Sequence, residues 1–167
     1  MPSLYFKTEG LVIKKMPFGE ADFLVRMLTK DFGKIDILAK GARKSTSKLN
    51  MHLDILNHIR ISFVKNGDRI PMLTDAEVIA RYDDWFLDSE HISVAGRILQ
   101  TLDQIILPGS KDGDLFLMTL GFFSAPDSSE EKAVRFLREI FEEQGYGNSL
   151  PPEYEHNIIK LWPILKI

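Results

Sequence analysis

Residues 32–49, FGKIDILAKGARKSTSKL, combine a predicted strand with a long basic loop. From Lys34 to Ala39 apolar and polar residues alternate, which places Ile35 and Ile37 on one face and predicts a half-buried β-strand. Gly33 comes directly before this strand and can adopt a positive φ, as a hairpin connection requires. The stretch therefore predicts a strand that leaves an antiparallel sheet and enters a loop.

The loop after this strand contains no acidic residue from Ile37 through Leu53. Its four cations are Lys40, Arg43, Lys44 and Lys48. Arginine can bind a phosphate through two parallel hydrogen bonds, and lysine acts as a point charge. A mobile, acid-free basic loop is typical of a polyanion-binding site, and nucleic acid is the usual polyanion. The alternative is a solvated loop that only keeps the protein in solution.

Charge is distributed unevenly along the chain, although the net charge is only −3 over 167 residues. Residues 1–82 contain 14 Lys and Arg against 9 Asp and Glu, whereas residues 83–167 contain 7 against 15. The first half therefore suits nucleic acid and the second would repel it. The absence of cysteine excludes disulfides and thiolate metal sites. No apolar run is long enough for a membrane span and no signal peptide is recognisable, so the expected location is the cytoplasm.

Five strands are predicted in the first half of the chain, at residues 10–15, 23–29, 34–39, 55–64 and 72–79. Turns are predicted at residues 17–19 and at Asn66-Gly67, because Asn-Gly is a strong hairpin signal. Five short strands with one long basic connection, in roughly 80 residues, are typical of a small barrel such as the OB-fold. A small open β-sandwich is the competing arrangement.

The second half is predicted to be helical. Apolar residues at spacings of three and four predict a helix at 91–107, ended by Pro108-Gly109. Residues 115–123 are apolar almost all round, which predicts a buried helix. A capping box of Ser128 and Glu131 predicts the start of a helix that ends near Gln144, with Gly145 as its stop. A short last helix is predicted at 153–161, with Trp162 packing back.

These patterns predict an α+β chain. We expect a five-stranded OB-fold β-barrel at residues 1–82, with the small open β-sandwich as the alternative, and an α-helical domain at residues 83–167.

Several short motifs occur in an order that resembles one protein family. They are TEG at 8–10, GEAD at 19–22, FGK at 32–34, KGARK at 40–44 and LTDAE at 73–77. From about residue 5 to residue 81 this order resembles the N-terminal domain of the RecO family of DNA-repair proteins. The resemblance implies an OB-fold followed by helices, and a recombination mediator that binds single- and double-stranded DNA and promotes annealing. It implies RecR and single-stranded-DNA-binding protein as partners in loading RecA, and a cytoplasmic, nucleoid-associated location.

One feature of the family pattern is missing from this sequence. Family members usually continue from the GYG segment at 145–147 into a four-cysteine zinc module, whereas this chain reads LPPE at 150–153 and has no cysteine. We therefore expect a short, zinc-free form without a metal or other cofactor.

The predicted DNA-binding residues follow from the basic loop and from the resemblance. The loop supplies Lys40, Arg43, Lys44 and Lys48, and the same face is expected to include Lys14, Lys15 and Lys34. Phe18 and Phe32 lie in predicted turns and could stack on bases, a contact that contributes about 1–3 kcal/mol per base. The alternative for both is that they cap the open ends of the barrel. Lys65 and Arg69 flank a hairpin turn and are expected to be ordinary surface residues.

No enzymatic chemistry is predicted. The four histidines are dispersed without a metal-ligand spacing, and residues 41–45 lack the first glycine of a phosphate-binding loop. The predicted function is non-enzymatic DNA binding in recombinational repair. The alternative is a protein-interaction module in which the helical half docks a repair partner and the barrel is structural. No membrane partner is expected.

Overall fold

The computed structural model describes residues 3–145, which form five strands followed by three α-helices. The strands are β1 (Leu4–Phe18), β2 (Asp22–Thr29), β3 (Gly33–Ala39), β4 (His58–Lys65) and β5 (Met72–Ala80). The helices are α1 (Ser89–Ile105), α2 (Gly113–Ser124) and α3 (Glu130–Glu143), with short 3-10 turns at Asn50–His52 and Asp83–Phe86. The helix predicted at 153–161 and the packing of Trp162 lie outside the described residues.

The strands close into a barrel in the order β1-β2-β3-β5-β4, which is the order of the OB-fold. All neighbouring pairs are antiparallel except β3 and β5, which are parallel and joined through one pair, Leu38 and Met72. The predicted α+β class with an N-terminal OB-fold is confirmed, and the open sandwich is excluded.

β1 is 15 residues long and pairs with two neighbours, whereas only residues 10–15 were predicted as strand. Its beginning pairs with β4 and its end with β2, and Gly10 pairs with both Ile59 and Thr29. A Cβ on Gly10 would lie 2.7 Å from the Cε of Met27 and 3.2 Å from the backbone oxygen of Leu28. Glycine is therefore required for the close approach of β1 and β2 at this point. The following turn begins at Gly19 and not at Pro17, because both Pro17 and Phe18 belong to the strand.

The barrel core consists of apolar side chains from all five strands, including Ile37 and Ala39 on the predicted inner face of β3. Two residues of the connection between β3 and β4, Ala42 and Leu53, are also fully buried in this core. Leu49, which lies between them, is partly buried against the same core, so the long connection is packed onto the barrel at three places.

The described residues divide into two compact units. The first contains residues 3–83 and 103–125, that is, the barrel with α2. The buried residues of α2 are Leu115, Phe116, Thr119, Phe122 and Phe123. The predicted helix is present, but Leu117 is 59% exposed, so α2 is buried on one face and not throughout.

The second unit contains residues 84–102 and 126–145. Its buried residues include Trp85, the apolar face of α1 and, on α3, Ala133, Phe136, Leu137, Ile140 and Phe141. The predicted capping box is wrong, because the N-cap of α3 is Ser129 and its side chain makes no capping hydrogen bond. Gly145, with φ +82°, follows α3 as predicted. The domain boundary after residue 82 stays a prediction. Within residues 3–145, no helix has both the length and the apolar character that a membrane crossing needs.

The closure of the barrel predicts that Gly10→Ala destabilises the protein. Met27 can move its terminal methyl group, but the backbone oxygen of Leu28 cannot move without disturbing β2, so we expect a loss of about 1–3 kcal/mol in unfolding free energy. Gly121→Ala is the control, because a Cβ there meets no atom within 4 Å. That substitution removes a helical glycine and should stabilise by up to about 1 kcal/mol. Urea unfolding of both variants checks this, and equal midpoints would contradict it.

Candidate nucleic-acid interface

The basic loop is folded into consecutive turns that begin at the end of β3. The amide of Lys44 donates to Gly41 O at 3.1 Å, and the amide of Ser47 donates to Lys44 O at 2.9 Å. The four loop cations, Lys40, Arg43, Lys44 and Lys48, are all exposed. In the described part of the chain none of them forms an ion pair with a carboxylate. The loop therefore presents uncompensated positive charge on a backbone anchored by buried Ala42.

The turn between β1 and β2 is hydrogen-bonded to this loop. The carboxylate Oδ1 of Asp22 accepts from the amide of Gly41 at 2.6 Å. The amide of Arg43 donates to Ala21 O at 2.9 Å, and the guanidinium Nη1 of Arg43 donates to Gly19 O at 3.0 Å. Nothing in the sequence around Asp22 indicates that its bonding partner is 19 residues away.

Phe18 and the two lysines of β1, Lys14 and Lys15, differ in whether their side chains are free to contact a ligand. Phe18 is 43% exposed and pairs with Asp22, so it lies at the turn that contacts the basic loop. Lys14 is also exposed. The Nζ of Lys15, by contrast, donates to Asn50 Oδ1 at 2.8 Å and lies 3.3 Å from Asp54 Oδ1. Lys15 therefore fixes the far end of the loop to β1, and its charge is compensated.

Lys34 is not available to the predicted DNA-binding face. Only 7% of it is exposed, and its Nζ donates to the backbone oxygen of Asp103 and lies 3.4 Å from the carboxylate of the same residue. A buried lysine needs such partners, because burial of an uncompensated ammonium group is costly. The prediction for Lys34 is therefore corrected to a structural role.

Arg26 completes this ionic network on the outer face of β2 and β3. It donates to both carboxylate oxygens of Asp36, at 2.7 and 2.8 Å, and to Asp103 at 2.9 Å. These bonds raise the pKa of Arg26, the bond to Asp36 most of all, against the opposing effect of burial. Burial would raise the pKa of Asp103, but Arg26 and Lys34 outweigh it and hold that pKa below its usual range.

The connection between α1 and α2 lies against the start of β3. Lys34 forms a parallel bridge with Pro108, and the amide of Gly109 donates to Lys34 O at 2.9 Å. A Cβ on Gly33, which has φ +67°, would lie 2.0 Å from Ser110 O. The β2–β3 face is the one on which OB-folds commonly bind oligonucleotides. Here Arg26 and Lys34 on this face are paired with carboxylates. The start of β3 is covered by the connection between α1 and α2, beside a cleft of about 480 Å³.

Phe32 lies at the opposite end of β3 from the basic loop and closes the barrel there. Its ring meets those of Phe6 and Phe63 edge-to-face, each with a centroid separation of 5.4 Å. Phe6 stacks on Phe63 at the same distance. Phe32 therefore caps the barrel, and the structure does not bring it together with Phe18.

A second charged group lies on the outer face of β1 and β4. His58 is 8% exposed, its Nε2 lies 3.4 Å from the carboxylate of Glu9, and its ring meets Phe116 edge-to-face. Glu9 also pairs with Arg60 at 3.3 Å. Burial lowers the pKa of His58, and the charge of Glu9 opposes that effect only in part. Across residues 3–145, no three His, Asp or Glu side chains are grouped so as to hold a metal ion.

Comparison with known proteins places these features in context. Residues 1–82 match the family described as Recombination protein O N terminal. DNA repair protein RecO of Acetivibrio thermocellus is 33% identical over 147 residues, which cover 86% of this chain and 58% of that protein. The RecO protein of Moorella thermoacetica is 30% identical over 118 residues, which cover 71% of this chain and 43% of that protein. The chain therefore spans only about half the length of these relatives.

Burial of His58 predicts that stability falls as the pH falls. Because its folded pKa is lower than the unfolded value of about 6.5, the unfolded state binds more protons between those two pKa values. Stability contributed by neutral His58 is present above about pH 6.5 and is lost as the pH decreases toward the folded pKa. His58→Gln does not titrate and should flatten the pH dependence of the unfolding free energy between pH 7 and about pH 5.

His91→Gln is the matched control for this prediction, because His91 lies in the other compact unit and pairs with exposed Asp88. Urea titrations at several pH values should separate the two variants. A pH dependence that His58→Gln leaves unchanged would show that other groups cause it.

Proposed function

The chain belongs to the RecO family, and from this premise we propose that it is a non-enzymatic recombination mediator that binds single- and double-stranded DNA and promotes strand annealing. The observation that carries the proposal is the exposed, acid-free loop with Lys40, Arg43, Lys44 and Lys48. Lys14 and Phe18 extend this surface along the end of β1. Lys15, Lys34 and Phe32 are left out of it, because their contacts within the barrel unit occupy them.

The mechanism of binding is electrostatic. Each phosphate that a loop cation neutralises releases condensed counterions, so binding should weaken steeply as salt increases. Two strands that lie on one basic surface repel each other less than they do in water, which favours annealing. Neither step requires ATP or a metal ion.

The family relationship also supports partner proteins. We propose RecR and single-stranded-DNA-binding protein as partners in loading the recombinase, in the cytoplasm and associated with the nucleoid. No membrane partner is proposed.

A protein-docking role is the second candidate. It is favoured by three large apolar side chains that are exposed within the second unit: Phe86, Leu87 and Ile92. Exposed apolar groups of this kind are typical of interaction sites when they form one patch. Tight binding of a repair protein that survives neutralisation of the basic loop would favour this candidate.

The proposed function predicts that replacing all four loop cations by Ala weakens DNA binding strongly. Fluorescence anisotropy of a labelled single strand and of the matching duplex, at several salt concentrations, measures it. We expect at least about tenfold weaker binding at low salt. The salt slope should decrease by about 0.7 for each single-strand phosphate that the variant no longer neutralises.

The matched control replaces Lys7, Lys30, Lys65 and Arg69 by Ala. These are also three lysines and one arginine, all exposed and all in the barrel unit, so the change in net charge is identical. The control should keep most of the affinity. Equal losses in both variants would assign binding to net charge and not to the loop, and absence of binding by the wild type would contradict the proposal.

A further inference from the structure

Asp22 is an acidic residue that contacts the basic loop directly. Its carboxylate Oδ1 accepts from the amide of Gly41 at 2.6 Å, a short distance typical of a charge-assisted hydrogen bond. Glu20, in the turn that precedes Asp22, is exposed, and in the described part of the chain its side chain takes part in no hydrogen bond or ion pair. Two carboxylates thus lie close together in sequence, but only one of them is bonded to the loop.

Gly41 determines the backbone conformation at the start of the loop. It has φ +69°, a conformation that favours glycine, and it follows Lys40 directly. Its amide is bound by Asp22, and its carbonyl oxygen accepts from the amide of Lys44 at 3.1 Å. Both backbone groups of Gly41 are therefore used, and the bond to Asp22 fixes the turn that orients Lys40 and Lys44.

We infer that Asp22 is a positioning residue for DNA binding, which holds the Gly41 turn so that the loop cations form one phosphate-binding surface. This inference rests on the proposed DNA-binding function. It extends that function by assigning a favourable role to a negative charge that would otherwise only repel DNA.

A positioning role and a purely electrostatic role of Asp22 predict opposite changes in DNA affinity when its carboxylate is removed. An anion within a Debye length, about 10 Å at 0.1 M salt, lowers the local attraction for phosphate. By charge alone, Asp22→Ala should therefore bind DNA more tightly than the wild type. If Asp22 positions the loop, the same substitution should bind DNA less tightly, although the protein has become more positive.

The experiment compares Asp22→Ala and Asp22→Asn with Glu20→Ala and Glu20→Gln, using anisotropy of a labelled single strand over a range of salt. Asn removes the charge but keeps an oxygen that can accept from Gly41. We expect Asp22→Ala to bind about tenfold more weakly, as for loss of one hydrogen bond to a charged group, with a smaller salt slope. Asp22→Asn and both Glu20 variants should bind as tightly as the wild type or more tightly.

Two further readouts separate positioning from a general loss of folding. Amide exchange at Gly41 should become faster in Asp22→Ala but not in Asp22→Asn. A partly unfolded variant would lose apparent affinity without a change in salt slope, whereas a displaced loop lowers the slope because it neutralises fewer phosphates.

Asp22→Ala with unchanged or tighter binding, or with weaker binding and an unchanged salt slope, would overturn the inference. The variant with all four loop cations replaced tests the proposed function separately. If that variant loses binding while Asp22→Ala does not, the inference alone fails. If it retains binding, the proposed function fails as well.

Discussion

The pairing of one long strand with two neighbours determines both the barrel and its proposed site. β1 bonds to β4 with its beginning and to β2 with its end, and it changes partner at Gly10, where a side chain does not fit. Because β1 continues to Phe18, the turn that follows it reaches the end of the barrel at which β3 ends. The basic loop leaves β3 there, so the turn at Gly19 can bind it.

The ionic network of Arg26, Asp36, Asp103 and Lys34 explains why the loop and not the open sheet face is the proposed interface. On that face two cations are matched by two carboxylates, and all four side chains are at most about one-third exposed. Phosphate would have to displace a bidentate carboxylate from Arg26, which is unfavourable compared with binding free cations. In the first unit most acids are bonded within the fold, whereas the loop cations have no carboxylate partner in the described chain.

The sequence predicts features that depend on residues close together in the chain. It does not predict contacts between residues that are far apart in the chain. Short apolar runs, the alternation in β3 and the turn residues predict that five strands exist, because these signals are visible within a few residues. They do not predict the full length of β1, whose two ends lie outside residues 10–15. The acid-free run identified the exposed cations in the same way. Lys34 could not be recognised as buried, because its partner Asp103 is 69 residues away. Phe32 likewise meets Phe6 and Phe63 only once the barrel has closed.

Asp22 shows why the sign of a residue's charge is an incomplete guide to its role at a charged site. A basic loop rich in Gly, Ser and Thr has little apolar surface with which to fix its own conformation, and its cations repel one another. Ala42 is buried and anchors the loop at one residue, but a single methyl group does not fix the backbone conformation of the residues on either side. The bond from Asp22 to the Gly41 amide supplies a directional constraint at the cost of one negative charge. Such a constraint is useful at a phosphate-binding surface, because cations that are already positioned lose less conformational entropy when DNA binds.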